Sequence, residues 1–171
     1  DFGTFSRQQE HAAARVQSVD VDTDDNIISS SWRIEKSSRL EQFTVVPSAL
    51  ALADAGIQTS SCTVDQKNRI GYIAGIGAEQ LKDWEHDFLD GGLDVFHAKR
   101  QPSLVHRAAQ ILGIHGPAAT VAAACASSGY ALALGKTWLE TGLVDACVVG
   151  GCDVLSPTAL AAFHNLSLIH I

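Results

Sequence analysis

Cys125 is the residue whose type and surroundings best suit covalent chemistry. It follows the run Thr120-Val121-Ala122-Ala123-Ala124 and precedes Ala126-Ser127-Ser128-Gly129. The first run reads as a strand of small side chains and the second as the start of a helix. A thiol at such a junction sits over the unpaired N–H groups and the positive end of the helix. Both favour a thiolate over a thiol. Backbone N–H groups at the same turn can hold an oxyanion. This is a nucleophile elbow with sulfur in place of a serine oxygen. The residues alone leave open a plainer alternative, a cysteine buried at an Ala-rich helix junction.

The elements that must position this thiol alternate between helix and strand. Apolar residues at spacings of three and four predict a helix over 40–55, with Gly56 as its C-terminal cap. Residues 57–68 read as a polar loop, and 70–76 as a buried strand. A helix is expected over 78–89, a connection over 93–103, and a short helix over 104–112. Gly116-Pro117 marks a turn. A strand at 120–124, a helix at 126–140 and a buried strand at 145–149 follow. Strands alternating with helices predict an α/β fold with a mainly parallel sheet.

Other motifs fail on inspection. Gly75 and Gly77 begin a dinucleotide-binding pattern, but Gln80 stands where its third glycine belongs. Those glycines read better as sites of close packing or a turn. Asp20, Asp22, Asp24 and Asp25 imitate a calcium loop, yet Asp25 and Ser31 occupy the places of its Gly and its bidentate Glu. Cys147 and Cys152 have no His or second Cys pair nearby, so no zinc site is expected. Together with Cys62 they read as reduced packing thiols of a cytoplasmic protein. The histidines at 11, 86, 97, 106, 115, 164 and 170 read as surface or packing residues.

Composition agrees with one folded domain. The chain has 171 residues, 46% hydrophobic and 18% charged, which excludes a disordered chain. No apolar stretch reaches the length of a membrane span. A net charge of −7, from 12 Lys plus Arg against 19 Asp plus Glu, argues against nucleic acid. There is no Met, so the chain is expected to lack its natural start.

The segment 116–153, GPAATVAAACASSGYALALGKTWLETGLVDACVVGGCD, resembles the nucleophile region of the β-ketoacyl synthases, members of the thiolase-like superfamily. Gly116-Pro117, Ala124-Cys125-Ala126-Ser127-Ser128, Gly142, Asp145, Gly150-Gly151 and Asp153 carry the resemblance. Pro157 and Phe163 fall where the family tends to have them, as do Asp54-Ala55-Gly56 and Arg69-Ile70-Gly71 upstream. The likeness covers residues 36–166 or so.

The resemblance implies a layered α-β-α-β-α fold in the whole enzyme, of which this chain is most of the N-terminal half. It implies Cys125 as the acyl-accepting nucleophile, its own N–H as one oxyanion donor, and Phe163 near the substrate pocket. The family's catalytic histidines lie beyond this chain. An acyl carrier protein is the implied partner, docking near Arg33, Lys36 and Arg39, which could equally be a solvated helix start. A homodimer is implied through the 145–149 strand. No metal or bound cofactor is implied, since phosphopantetheine arrives on the carrier. The polar lead-in 1–39 precedes a core at 40–166, and residues 167–171 resemble translated adapter sequence rather than the family. A lone half is expected to expose the face that packs on its other half. The implied reaction is decarboxylative Claisen condensation in fatty-acid or polyketide synthesis, with Ser127-Ser128 leaning towards polyketide elbows. Two alternatives stand beside it: a thiolase-type enzyme using coenzyme A thioesters, and a non-catalytic subunit like a chain-length factor.

Overall fold

The computed structural model describes residues 27–77 and 102–165, with Val19, Glu85 and Phe88. Most of the expected 78–89 helix, the 93–101 part of the connection after it, the calcium-like run and the 167–171 tail lie outside the described residues. Three strands, β1 (Ile70–Gly75), β2 (Ala118–Val121) and β3 (Ala146–Gly151), form a sheet in the order β2-β1-β3, with both pairings parallel. Five α-helices accompany it among the described residues: α1 (Arg39–Asp54), α2 (Val64–Asn68), α3 (Leu104–Ile111), α4 (Ser127–Glu140) and α5 (Pro157–Asn165). Among these residues no helix is long and apolar enough to cross a membrane.

Every residue of β1 is buried, as a central parallel strand covered on both faces must be. The two-residue period of a strand sends alternate side chains to opposite faces. Ile70, Tyr72 and Ala74 join the core with Val45, Ala49 and Leu52 of α1 and Leu104, Val105 and Ala108 of α3. Burying one Leu or Val there is worth about 1.5–3 kcal/mol. Ile73 and the glycines of β1 face α4. Gly135 lets that helix approach the sheet, since a Cβ there would lie 2.7 Å from a methyl of Val149. The outward side of α4 carries Tyr130, Leu132 and Leu139, all exposed. A helix apolar on both sides is built for cover on both sides.

Local signals explain the boundaries. Ser38 caps α1 by accepting the Glu41 N–H at 3.1 Å. Gly56, at φ +70°, closes the same helix, with Gly56 N–H on Ala53 O and Ile57 N–H on Leu52 O, both 2.9 Å. The Arg69 guanidinium forks onto Asp145 and reaches Gly142 O at 2.9 Å, tying the start of β1 to the start of β3.

Four expectations need correction. Residues 57–68 are not all loop: Thr63 and Gln66 form a reciprocal capping box that starts α2. β2 runs over 118–121 rather than 120–124: Pro117 O already accepts the Tyr72 N–H at 2.9 Å, and Ala124 belongs to a 3₁₀ turn beyond the strand. β3 is half-buried to exposed rather than buried, because among the described residues it pairs on one side only. Helix α5 had no expected counterpart; Ser156 caps it through the Ala159 N–H at 3.1 Å, and Pro157 takes its first position.

Candidate active site

At the end of β2 the chain passes through 122–123 into a tight 3₁₀ turn, Ala124–Ala126, and then directly into α4. Ala124 adopts φ +47°, a left-handed conformation that costs a non-glycine residue about 1 kcal/mol. Two features hold the turn. The buried Ser127 hydroxyl accepts the Ala123 N–H and donates to Ala124 O, each at 2.8 Å. The first turn of α4 also rests on the end of β1. A Cβ on Gly75 would lie 2.6 Å from the carbonyl carbon of Ser127 and 2.7 Å from Ser128 N, so only glycine permits this seat. Ser128 Oγ similarly reaches Gly151 at the end of β3.

Cys125 sits on this turn with its side chain exposed. It lies at the carboxyl end of a parallel sheet, where α/β proteins place their ligands. Two further thiols, Cys147 in β3 and Cys152 just after it, are half-buried. Burial pushes the Cys147 thiol up. Burial also raises Cys152, aided by the nearby Asp153 carboxylate and opposed by Thr44, whose Oγ1 is 3.2 Å away. The Asp153 carboxylate borders the elbow, with Oδ2 3.7 Å and Ala124 Cα 4.0 Å from the position of a Cβ on Gly77.

A cavity of about 150 Å³ lies on the opposite face of the sheet, between α1 and β3. Its polar wall is Tyr72, Ser48, Thr44 and Cys152, and it does not include Cys125. Burial pushes Tyr72 up to about 12, although the Ser48 hydroxyl 3.0 Å away works against it.

The remaining residues singled out in the sequence lie elsewhere. Phe163 is on α5 and 43% exposed. Arg33, Lys36 and Arg39 lead into α1, which packs on the sheet face opposite α4. Arg33 binds Ser30 O and Trp32 O, Lys36 is exposed, and Arg39 lies over the Phe43 ring at 4.6 Å. His115 precedes β2, at the amino end of the strands and so remote from Cys125. His106 lies on α3, its Nδ1 2.7 Å from Ser103 Oγ. His164 falls within α5, and His11, His86, His97 and His170 lie outside the described residues. No group of three or more His, Cys, Asp or Glu that could hold a metal ion occurs among the described residues. Sequence reasoning named Ser127 only beside Ser128 in the elbow pattern and missed the bonds of its hydroxyl.

Residues 4–170 match the family model described as the N-terminal domain of β-ketoacyl synthases. A protein of Streptomyces halstedii described as a polyketide β-ketoacyl synthase is 31% identical over 149 residues, which are 78% of this chain and 34% of that protein. A protein of Streptomyces cyaneus with the same description is 29% identical over the same shares. The chain thus spans about a third of the length of these relatives, at 34%. Among solved structures, the ishigamide ketosynthase/chain length factor superposes with a TM-score of 0.63 at 22% identity, covering 82% of this chain and 36% of that one. A β-ketoacyl synthase from Burkholderia phymatum superposes with a TM-score of 0.59 at 21% identity, covering 81% and 36%. The superpositions show a shared fold.

Proposed function

The chain belongs to the β-ketoacyl synthase family, and from that premise we propose that it is the nucleophile-bearing part of a condensing enzyme with Cys125 as its acyl acceptor. One observation carries the reading: an exposed thiol on a positive-φ turn, at the mouth of α4 and the carboxyl end of the sheet. The Cys125 sulfur attacks the carbonyl of a carrier-linked acyl thioester. A carbon–sulfur bond forms to Cys125, and the bond to the carrier's phosphopantetheine sulfur breaks. The departing thiolate takes up the proton that Cys125 gave up. The Cys125 N–H stabilises the tetrahedral oxyanion. A malonyl thioester then loses CO2, and its α-carbon attacks the Cys-bound acyl group, expelling the Cys125 thiolate. In the family, the histidines for that half-reaction lie in the C-terminal half.

The relatives' description favours polyketide over fatty-acid synthesis. No bound cofactor is needed. The partner is an acidic acyl carrier protein, and the exposed Arg33 and Lys36, with Arg39, are the candidate docking charges. Phe163 is assigned to the edge of the substrate pocket, and 40–166 to the core of the N-terminal domain. Strand β3 ends the sheet among the described residues and is the candidate homodimer edge. A second reading is a subunit like a chain-length factor, favoured by the ishigamide neighbour; such subunits lack the nucleophile that Cys125 supplies here.

The test is peptide mass spectrometry of the full-length protein after incubation with an acyl-carrier thioester, with the coenzyme A thioester in parallel. The expected adduct is on Cys125, faster from the carrier, and absent in Cys125→Ala. A folded protein with no Cys125 adduct overturns the reading in favour of the non-catalytic subunit, and a preference for coenzyme A favours a thiolase-type enzyme.

A further inference from the structure

We propose that Ser127 is a positioning residue that aims the backbone N–H of Cys125 at the oxyanion. The proposal rests on the reading of Cys125 as the acyl acceptor and adds a residue to it. Ser127 is 4% exposed, so its hydroxyl points into the protein and contacts no substrate. Its oxygen accepts the Ala123 N–H, and its one proton goes to Ala124 O, both at 2.8 Å. That carbonyl belongs to the same planar trans peptide as the Cys125 N–H, so the two point in opposite directions. The Ser127 backbone N–H also goes to Ala124 O, so the hydroxyl adds a second hold on that carbonyl, and the Cys125 N–H lies on the opposite side of the same peptide plane. The turn needs such a clamp, because Ala124 sits at φ +47° without a glycine's freedom. Ser128 plays no part in this clamp, since its hydroxyl reaches Gly151 at the end of β3.

Two reactions of one thiol separate aim from mere integrity. Acyl transfer to Cys125 passes through an oxyanion, whereas alkylation by iodoacetamide displaces iodide and forms none. Both are measured on the full-length protein, unsubstituted and as Ser127→Ala, Ser127→Thr and Ser128→Ala. Ser127→Ala is expected to slow single-turnover acylation on the order of tenfold to a hundredfold, less than or near the loss of a whole oxyanion donor. Cys125 alkylation should stay within about twofold, since the thiol remains at its helix terminus. Ser127→Thr, which keeps the hydroxyl, and Ser128→Ala should both acylate normally. Where Ser127→Ala does not fold, Ser127→Thr and Ser127→Val, alike in shape and different in the hydroxyl, repeat the comparison. Unchanged acylation without the hydroxyl overturns the role of Ser127 and leaves Cys125 untouched, as does equal slowing of both reactions. An unsubstituted protein that forms no Cys125 adduct overturns both readings.

Discussion

Replacing Gly75 by Ala puts a methyl group against the backbone of the elbow. The new carbon would lie 2.6 Å from Ser127 C and 2.7 Å from both Ser127 O and Ser128 N. Nonbonded carbons settle at about 3.5 Å, so from 2.6 Å the first turn of α4 must retreat by roughly 0.9 Å. The obstruction is main chain, so no rotamer change relieves it. Nor can β1 give way, because the cores of α1 and α3 fill its other face. Overpacking of this kind costs about 1–3 kcal/mol. Displacing a reacting group by nearly 1 Å costs on the order of a hundredfold in rate. The assays are denaturant unfolding and single-turnover acylation of Cys125 in the full-length protein. Gly150→Ala is the internal control, since a Cβ there meets nothing within 4 Å, and its stability should stay within about 0.5 kcal/mol. Wild-type stability and acylation in Gly75→Ala would refute the idea that the strand end seats the elbow.

Tyr72 should give its phenolate absorbance only near pH 12 in the folded protein, against 10 for a free tyrosine. Its folded value is raised, so the associated stability is complete below pH 10 and is lost as pH rises through about 12. Tyr72→Phe should remove that alkaline limb and cost about 1 kcal/mol at neutral pH for the bond to Ser48. At the acid end, the hydrogen bond from Arg69 holds the Asp145 carboxyl below its usual range, with burial opposing it. The folded value is depressed, so that contribution is present above the usual carboxylate range and is lost as pH falls through the lowered value. Asp145→Asn should therefore flatten the acid side of the stability profile, and an unchanged acid limb would refute the pairing.

The parallel alternation of strand and helix was legible because buried strands and capped helices leave strong local marks. The run through Ile70, Tyr72 and Ala74 and the cap at Gly56 are both found in the structure. The Cys125 elbow was legible for a similar reason: small residues before the thiol and a helical run after it fix a strand-turn-helix. The glycine at 75 was readable as a close approach, though not what approached it. Other features depend on distant partners. The exposure of β3 follows from its place at the end of the described sheet, which its own apolar residues cannot reveal. The start of β2 is set by Tyr72, a residue 46 positions upstream of Ala118. Helix α2, five residues long, is too short for a periodicity to show. Ser127 read as one of two serines, and only the burial of one hydroxyl and the outward reach of the other tell them apart.

The seat of the elbow also has a history in time. Its supports reach back from Ser127 to Gly75 and, further along α4, forward from Gly135 to Val149 of β3. Neither contact is local, so each must wait for a loop of the chain to close. As the polypeptide leaves the ribosome, Cys125 emerges while the end of β3 has yet to be made. Until that last strand docks, the turn has its own Ser127 bonds but its helix lacks the β3 surface on which it rests. The elbow's setting is therefore finished only with the sheet, after its own residues have been synthesised.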